Sequence, residues 1–521
     1  MTRRWPALVI IVALVTAALV SDHGDDTSGA AAPAGGGPAT GESLAGSTSE
    51  LARTMAVAAP PGALSSTWFC AGGTATAKGV ADHFVVVANP TGRGVRGTVT
   101  AMPSSGRPAS RAVTVAAYSR VRVQLSDLVD APYAAALVEL GAGEVVVEHE
   151  VRGPDGRDTA PCASSASDRW YFASGATTRD ADEVLVLFNP FPDDATVDIS
   201  FATDEGRRVP QALQGFQVPG RSVVAARVTD QVTVRAQVAT EVVARVGRVV
   251  VDRLQTFDGS GASTTEEAAA QEAYLPRGLT VTLGVPRPAS TWMFPFGSKE
   301  AGVHERYVIY NPGTSEVEAE LAVRLTDPGR NGSLDPFTVT LASRSFQVVD
   351  FDGEDRVPPG VDHAVVVAAP GGEPLVVERL LVTEDPFAST GTAASTGVPL
   401  VAPRWVFASG SSRDLIQVER IAVQNPSGRP VRVRVEAFST GSSSLDPIEG
   451  LPPVTIGPYG HVQLRLSAAP EEANLSVLVT ADGPVAAERA DFSVGTLGVS
   501  TAPGIPLASG LRRASPSALG S

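Results

Sequence analysis

Lysine is almost missing from this chain: Lys78 and Lys299 are the only two, and every other cation is an arginine. Beside so much Ala, Val and Gly, that bias reads as the mark of a GC-rich genome rather than of a guanidinium-specific function. The net charge of -15 excludes nucleic acid and an anionic membrane surface as direct partners, because both would repel an acidic body. Aromatic residues make up only 6% of the sequence, so a core built of Val and Ala is thin, and each module is expected to lean on its neighbours. The chain has no Gly-x-Ser-x-Gly, no phosphate-binding loop and no dinucleotide fingerprint, which removes the usual nucleophile and nucleotide sites. Six histidines (His23, His83, His149, His304, His363, His461) include no pair at metal-ligand spacing. Surface or strand-end roles are expected for them, and no metal or cofactor is.

What the sequence does have is a repeat. Trp68, Trp170, Trp292 and Trp405 stand 102 to 122 residues apart, and each opens the same pattern: an apolar residue two places on (Cys70, Phe172, Phe294, Phe407) and Gly five places on. Nineteen to 21 residues after each Trp an apolar run ends in Asn-Pro, at Asn89, Asn189, Asn311 and Asn425. That pair stops a strand and starts a turn, since Pro lacks the N–H a ladder needs. Eighty to 86 residues after the Trp another apolar run ends in an acid and usually an Arg: Glu148-His149, Asp252-Arg253, Glu378-Arg379, Glu488-Arg489.

Within a copy the period is two. Val431, Val433, Val435 and Ala437 alternate with Arg432, Arg434 and Glu436, which puts the apolar set on one face of a strand. The runs before Asn-Pro, such as Val85–Ala88, are apolar on both sides, as a strand covered on both faces would be. About seven short strands per roughly 100 residues, with Gly and Pro turns and no helix period, predict an all-β chain of four tandem immunoglobulin-like antiparallel β-sandwiches. A propeller blade of about 40 to 50 residues is too short for this unit. Low-complexity stretches at 153–168, 258–273 and 382–397 suggest boundaries, giving modules at 61–165, 166–275, 276–400 and 401–510 and a disordered tail at 511–521. Modules in single file would form a rod; mutual packing would form a compact body.

Arg3-Arg4 precede an uncharged stretch from Trp5 to Val20, and Asp22 and Asp25-Asp26 follow. Positive charge before and acid after direct the rest of the chain outward, whether residues 1–20 are a cleaved signal or an uncleaved anchor. Residues 21–60, rich in Ala, Gly, Ser, Thr and Pro, read as a flexible tether. Outside the cytoplasm two cysteines in one domain pair, so Cys70 and Cys162 are expected to form a disulfide.

The candidate chemistry is weaker. Glu148, Asp252, Glu378 and Glu488 suggest general acid catalysis or calcium, but an acid repeated in every copy beside an Arg reads more simply as a strand-end ion pair. Asp350-Phe-Asp352-Gly-Glu354-Asp355 lacks the alternation of a calcium loop and reads as solvated. An exposed Trp in each module would stack on sugar rings and bind glycan by avidity. The fixed spacing instead puts Trp and Phe on one strand face, which favours core for Trp68, Trp170, Trp292 and Trp405. Tyr118 and Tyr459, replaced by Arg221 and Arg344, read as covers over the sandwich end.

Trp-Tyr-Phe-Ala-Ser-Gly at 170–175, the Asn-Pro strand ends and Val-Val-Glu-Arg at 376–379 resemble the repeats of actinobacterial envelope proteins of the domain-of-unknown-function family 5719. The likeness spans about residues 60 to 510, and the first copy departs from it by carrying Cys70 for Phe. It implies an exported, surface-tethered protein and supplies no reaction. The expectation is an extracytoplasmic, non-enzymatic structural or interaction protein of the cell envelope, its partner a wall glycan or envelope protein. The alternative is an envelope carbohydrate-binding protein, or an accessory or catalytic subunit of a carbohydrate-active enzyme using two carboxylates in a cleft.

Overall fold

Each Trp-led copy folds as a sandwich of antiparallel strands: two four-stranded sheets in modules 1 and 3, a four- and a five-stranded sheet in module 2, where the fourth strand is split in two, and strands joined into one ten-stranded sheet in module 4. In module 1 the eight strands are Ser66–Cys70, Asp82–Asn89, Val95–Pro103, Ala109–Val115, Ser119–Gln124, Ala134–Leu140, Val146–Gly153 and Gly156–Pro161. One sheet runs first, sixth, third, fourth; the other runs fifth, second, seventh, eighth. Modules 2 and 3 repeat that order, and in module 4 the sixth and seventh strands merge into one, Leu475–Ser493. The second–fifth and third–sixth pairs are those of an immunoglobulin sandwich, but the first and seventh strands have exchanged sheets and an eighth strand is added. The computed structural model describes residues 50–260, 276–326, 334–384, 389–410, 416–448, 450–466, 475–493 and 497–520. The apolar segment expected over 1–20 and most of the 21–60 tether lie outside the described residues. Among those described, no helix is long and apolar enough to cross a membrane.

The chemistry of each landmark accounts for these strands. The apolar run before Asn-Pro is the second strand, flanked by the fifth and seventh and buried throughout. The Asn then uses its side chain as a corner clamp. Asn89 Nδ2 donates to the carbonyls of Arg93 and Ala116 at 2.7 and 2.8 Å, while its Oδ1 accepts the Thr91 N–H. Asn189, Asn311 and Asn425 make the corresponding bonds. Opposite that corner Tyr118, Arg221, Arg344 and Tyr459 all take left-handed φ of 48° to 53°, a conformation unusual for such side chains and here repeated at every copy.

After its eighth strand the chain crosses back to pair with its own first strand. Phe69 exchanges backbone hydrogen bonds with Ala163, Tyr171 with Val285 and Met293 with Val398, and Val406 pairs with Ile505. Module 2 therefore does not end at 275. Its eighth strand is Arg277–Leu283, paired with Val250–Asp258, and the low-complexity stretch lies between these two strands of one sheet. The 153–168 stretch likewise contains the eighth strand of module 1, and 382–397 that of module 3, Gly391–Thr396. The segment 511–521 is also corrected: Arg512 and Arg513 pair with Val401 and Leu400, and Ala518 and Leu519 are buried. At the other end of the fold the tether gives way to packed chain by residue 56, where Ala56, Val57 and Ala58 are buried and Ala58 bridges to Leu507.

The four eighth strands pack against one another in a closed cycle, module 1 on 2, 2 on 3, 3 on 4 and 4 on 1. The modules thus form a ring, neither a rod nor beads on a string. Hydroxyls and a carboxylate stitch each junction: Val281 N–H to Asp158 at 2.8 Å, Thr282 Oγ1 to the Ala394 carbonyl at 3.1 Å, Thr501 Oγ1 to Ser395 Oγ at 3.0 Å, and Thr159 N–H to Ser500 Oγ at 3.2 Å. Backbones meeting at one axis leave little room, and Gly391–Thr396 is accordingly built of Ala, Gly, Ser and Thr alone, although Arg277–Leu283 keeps Leu279, Val281 and Leu283. A Cβ on Gly391 would lie 2.7 Å from the Val499 nitrogen of the next module. The remaining axial cavity, about 30 Å³, is lined by all four strands and by Thr54, Met55 and Ala56.

Candidate functional site

The acid and the residue after it lie on the seventh strand, where successive side chains point to opposite faces. The acid reaches back to the preceding module and the next residue reaches forward to the following one. Asp252 Oδ2 accepts the N–H groups of Ala71 and Gly72 in module 1 at 3.0 and 2.6 Å. Glu378 accepts Ala173 N–H of module 2 and binds Arg253 at 2.8 Å. Glu488 accepts Phe296 N–H of module 3 and binds Arg379 at 2.5 Å. Glu148 closes the ring, accepting Ser409 N–H of module 4 at 2.8 Å and binding Arg489 at 3.3 Å. The strand-end ion pair expected from adjacency is therefore a clasp between modules. Each Arg pairs with the next module's acid because its own neighbour faces the other way.

All four acids are enclosed, with 0–1% exposure. Burial raises the carboxyl pKa of Glu148 and Glu488 against the pull of Arg489 and Arg379, and pushes Asp252 up to about 7. The guanidiniums lie near the motif phenylalanines, Arg253 at 5.5 Å from the centroid of Phe172 and Arg489 at 5.8 Å from that of Phe407. The acids thus sit enclosed with hydrogen-bond donors, and Glu148, Glu378 and Glu488 also with a guanidinium.

A third titratable position joins each clasp, six residues before the clamp asparagine: His83, Glu183, Glu305 and Glu419. Sequence reasoning missed it, although the fixed spacing was there to be read. In modules 1 and 2 these groups explain the motif glycine: a Cβ on Gly73 would clash with His83 and one on Gly175 would lie 2.5 Å from a Glu183 oxygen, whereas at Gly297 and Gly410 the nearest atoms belong to His363 and the Leu475 carbonyl. In modules 2 to 4 the set is Glu, Arg and the next module's Glu. At the junction of modules 1 and 2 it becomes His83, His149 and Asp252: His83 Nδ1 contacts the Ala134 carbonyl at 2.7 Å, His149 Nδ1 lies 3.1 Å from His83 Nε2, and His149 Nε2 is 3.6 Å from Asp252. Both imidazoles are fully buried, and burial lowers His83 to about 4 and His149 further below its ordinary value. A surface role does not hold for these two; His363 does begin its strand, His363–Ala368, but it is buried and binds Glu305 at 2.8 Å inside the module 3 clasp.

The tryptophans are core, 0–1% exposed. Trp170, Trp292 and Trp405 donate Nε1–H to the carbonyls of Val249, Leu375 and Val485, each three residues before the clasp acid. Stacking of these rings on a sugar is closed off. Cys70 and Cys162 are bonded. The Asp350–Asp355 loop is not wholly solvated: Phe351 is buried and Asp352 contacts His304 Nδ1 at 2.7 Å. Among the described residues no group of three or more His, Cys, Asp or Glu is arranged to hold a metal.

The sandwiches, the disulfide and the repeated clasp define a multi-module β-sandwich protein, and the disulfide points to an oxidising compartment. The chain resembles the family of unknown function DUF5719, which matches residues 145–369, from the clasp strand of module 1 through the sixth strand of module 3. No curated protein matches. Among solved structures, Thermotoga maritima 1070 is 16% identical over 21% of this chain and 94% of that one, with a TM-score of 0.18. A tetra-tandem repeat from the extending region of a large adhesion protein is 13% identical over 85% of this chain and all of that one, TM-score 0.11. The α-L-rhamnosidase of Streptomyces avermitilis, complexed with L-rhamnose, is 12% identical over 81% of this chain and 56% of that one, TM-score 0.13.

Proposed function

We propose that this chain is an extracytoplasmic, non-enzymatic structural or interaction protein of a bacterial cell envelope, a rigid ring carried on an N-terminal signal or anchor. One observation carries the reading: the polar residues repeated in every module are engaged inside the ring's own junctions. General acid catalysis needs a carboxyl within reach of substrate, and a repeated carboxyl held by a neighbouring module's amide and guanidinium instead serves assembly. The disulfide favours an exported chain. Charge order around residues 5–20 favours outward orientation, with membrane contact only through that segment if it stays uncleaved. The near-absence of lysine, with abundant Ala, Val and Gly, favours a GC-rich actinobacterial source. The partner is an envelope protein, or a wall glycan met by the ring's outer surface.

Protease added to intact cells should remove a C-terminal tag from the full chain, and crosslinking or saturable retention on isolated sacculi should identify what it meets. A tag cut only after lysis overturns the location. Release of reducing ends from wall glycan by the purified chain, absent from a mock preparation, overturns the non-enzymatic assignment.

A further inference from the structure

The C-terminal segment builds a groove on module 4. Crossing beside the Asn425-Pro426 corner of module 4, residues 512–518 wall a groove of about 500 Å³ whose other sides are the Ser427–Val431 turn and the Asp482–Pro484 stretch of the long strand Leu475–Ser493. That volume suits a ligand, whereas the axial cavity and a second one beside Ser174 are about 30 and 60 Å³, room for waters. Pro426, Pro430 and Pro484 on the walls offer no N–H, so the groove cannot be closed by strand pairing.

Three arginines from two distant segments converge on it: Arg429, Arg512 and Arg513. Arg513 has an exposed partner, Glu50, at 3.6 Å. Arg429 and Arg512 have no carboxylate partner among the described residues. The groove's one acid, Asp482, is tied by its Oδ1 to the backbone N–H of Arg432 at 2.8 Å. The hydroxyls of Ser427 and Ser517 add polar groups. In a chain of net charge -15, where most buried and many exposed guanidiniums are paired, unpaired arginines gathered in a ligand-sized groove are the feature to explain. Guanidinium forks match the oxygens of phosphate and carboxylate.

We propose that this groove binds a phosphate-bearing ligand through Arg429 and Arg512. It is independent of the envelope reading, since either can fail without the other. The overall negative charge works against diffuse anion binding, so saturable uptake requires a local site.

The test is calorimetric titration of the full chain with inorganic phosphate and, separately, with poly(glycerol phosphate), at low salt and at 0.5 M NaCl. Saturable binding is expected, weakened at least tenfold by Arg429→Ala/Arg512→Ala and unchanged by Arg96→Ala, an exposed arginine of module 1. A polymer bound tighter than free phosphate assigns the source to an extended anionic chain; equal affinity assigns it to a single oxyanion. No saturable binding of either probe to the native chain overturns the proposal, as does equal weakening by Arg96→Ala. Because the native titration is decisive alone, misfolding of a variant leaves the test intact.

Discussion

Cys70 and Cys162 are bonded at the place where each other module lays a phenylalanine ring over a glycine. Cys70 is the counterpart of Phe172, Phe294 and Phe407, and Cys162 of Gly284, Gly397 and Gly504. A Cβ on those glycines would lie 2.7–2.8 Å from the facing ring's Cζ. Ring and side chain exclude each other, so the two solutions must be exchanged together. Reduction, which opens a closed loop spanning 92 residues, should lower stability by about 4.6 kcal/mol in the chain-entropy account. The double variant Cys70→Phe/Cys162→Gly should recover part of that loss, and Cys70→Phe alone should be worse than either. Urea midpoints under oxidising conditions rank the three; a single variant as stable as the double one would break the equivalence.

Arg379 and Glu488 offer the cleanest measure of a clasp, because both are buried and 2.5 Å apart across the junction of modules 3 and 4. Removing one partner strands the other, so Arg379→Met or Glu488→Gln should each cost about 3–5 kcal/mol. The double variant should cost clearly less than the sum. A double-mutant cycle on urea unfolding checks this, and strict additivity would show that the two charges do not sense each other.

The junction of modules 1 and 2 should be the acid-sensitive seam. His83 and His149 are held neutral, their folded pKa values depressed below the ordinary 6.5, so an opened chain takes up two protons that the closed ring refuses. Their contribution is present above pH 6.5 and lost as pH falls toward 4. Asp252, raised from 3.8 to about 7, acts oppositely, retaining a proton in the folded state over part of the same window. The net uptake on opening is about one proton, a loss of about 1.4 kcal/mol per pH unit between roughly pH 6 and 4. His83→Gln/His149→Gln should reverse this slope, because only the opposite contribution of Asp252 remains, and Asp252→Asn should steepen it. Stability curves against pH for the three proteins decide the matter; parallel curves would place the acid sensitivity elsewhere.

Glu183 predicts the opposite limb. Burial raises it to about 8, so its stabilising protonated form is complete below pH 4.5 and is lost as pH rises through 8. Glu183→Gln, which keeps shape and cannot ionise, should leave stability near pH 4.5 little changed and raise it by about 2–4 kcal/mol above pH 8. Thermal melts at pH 5 and 9 test it. An equal effect at both would mean the carboxyl's charge is not the issue.

Strand alternation, the four-copy register, the buried tryptophans and the disulfide were legible because each is a local signal: a period of two, a fixed offset from Trp68, Trp170, Trp292 or Trp405, or two cysteines in one copy. The clasp was half legible. Glu378-Arg379 announces a pair, but only strand pleating and a neighbouring module reveal that the two point apart. One eighth strand was misread for a physical reason: Gly391–Thr396, packed close to its neighbours at the axis, is all Gly, Ala, Ser and Thr, the composition of a linker, and looked like a boundary. Arg277–Leu283 is more apolar and looked like the start of a module because a low-complexity stretch precedes it in sequence.

Ring closure itself makes the last prediction. Ending the chain after Pro399 deletes module 4, which leaves Arg379 without Glu488 and Glu148 without Arg489 and the Ser409 amide. Glu148 is left without its guanidinium and Arg379 keeps only Glu305 at 3.7 Å, at a cost of up to about 3–5 kcal/mol each, against a total stability of about 5–15 kcal/mol for an ordinary domain. The eighth strands of modules 1 and 3 also lose Ser500 and Thr501 as hydrogen-bond partners. The three-module fragment should therefore unfold in separate, low-lying steps and be cut rapidly by protease, while adding a separately expressed module 4 should restore one cooperative transition. Calorimetry with limited proteolysis distinguishes the cases. If the fragment melts as sharply and as high as the whole chain, each sandwich is self-sufficient and the clasps only align modules that were already stable.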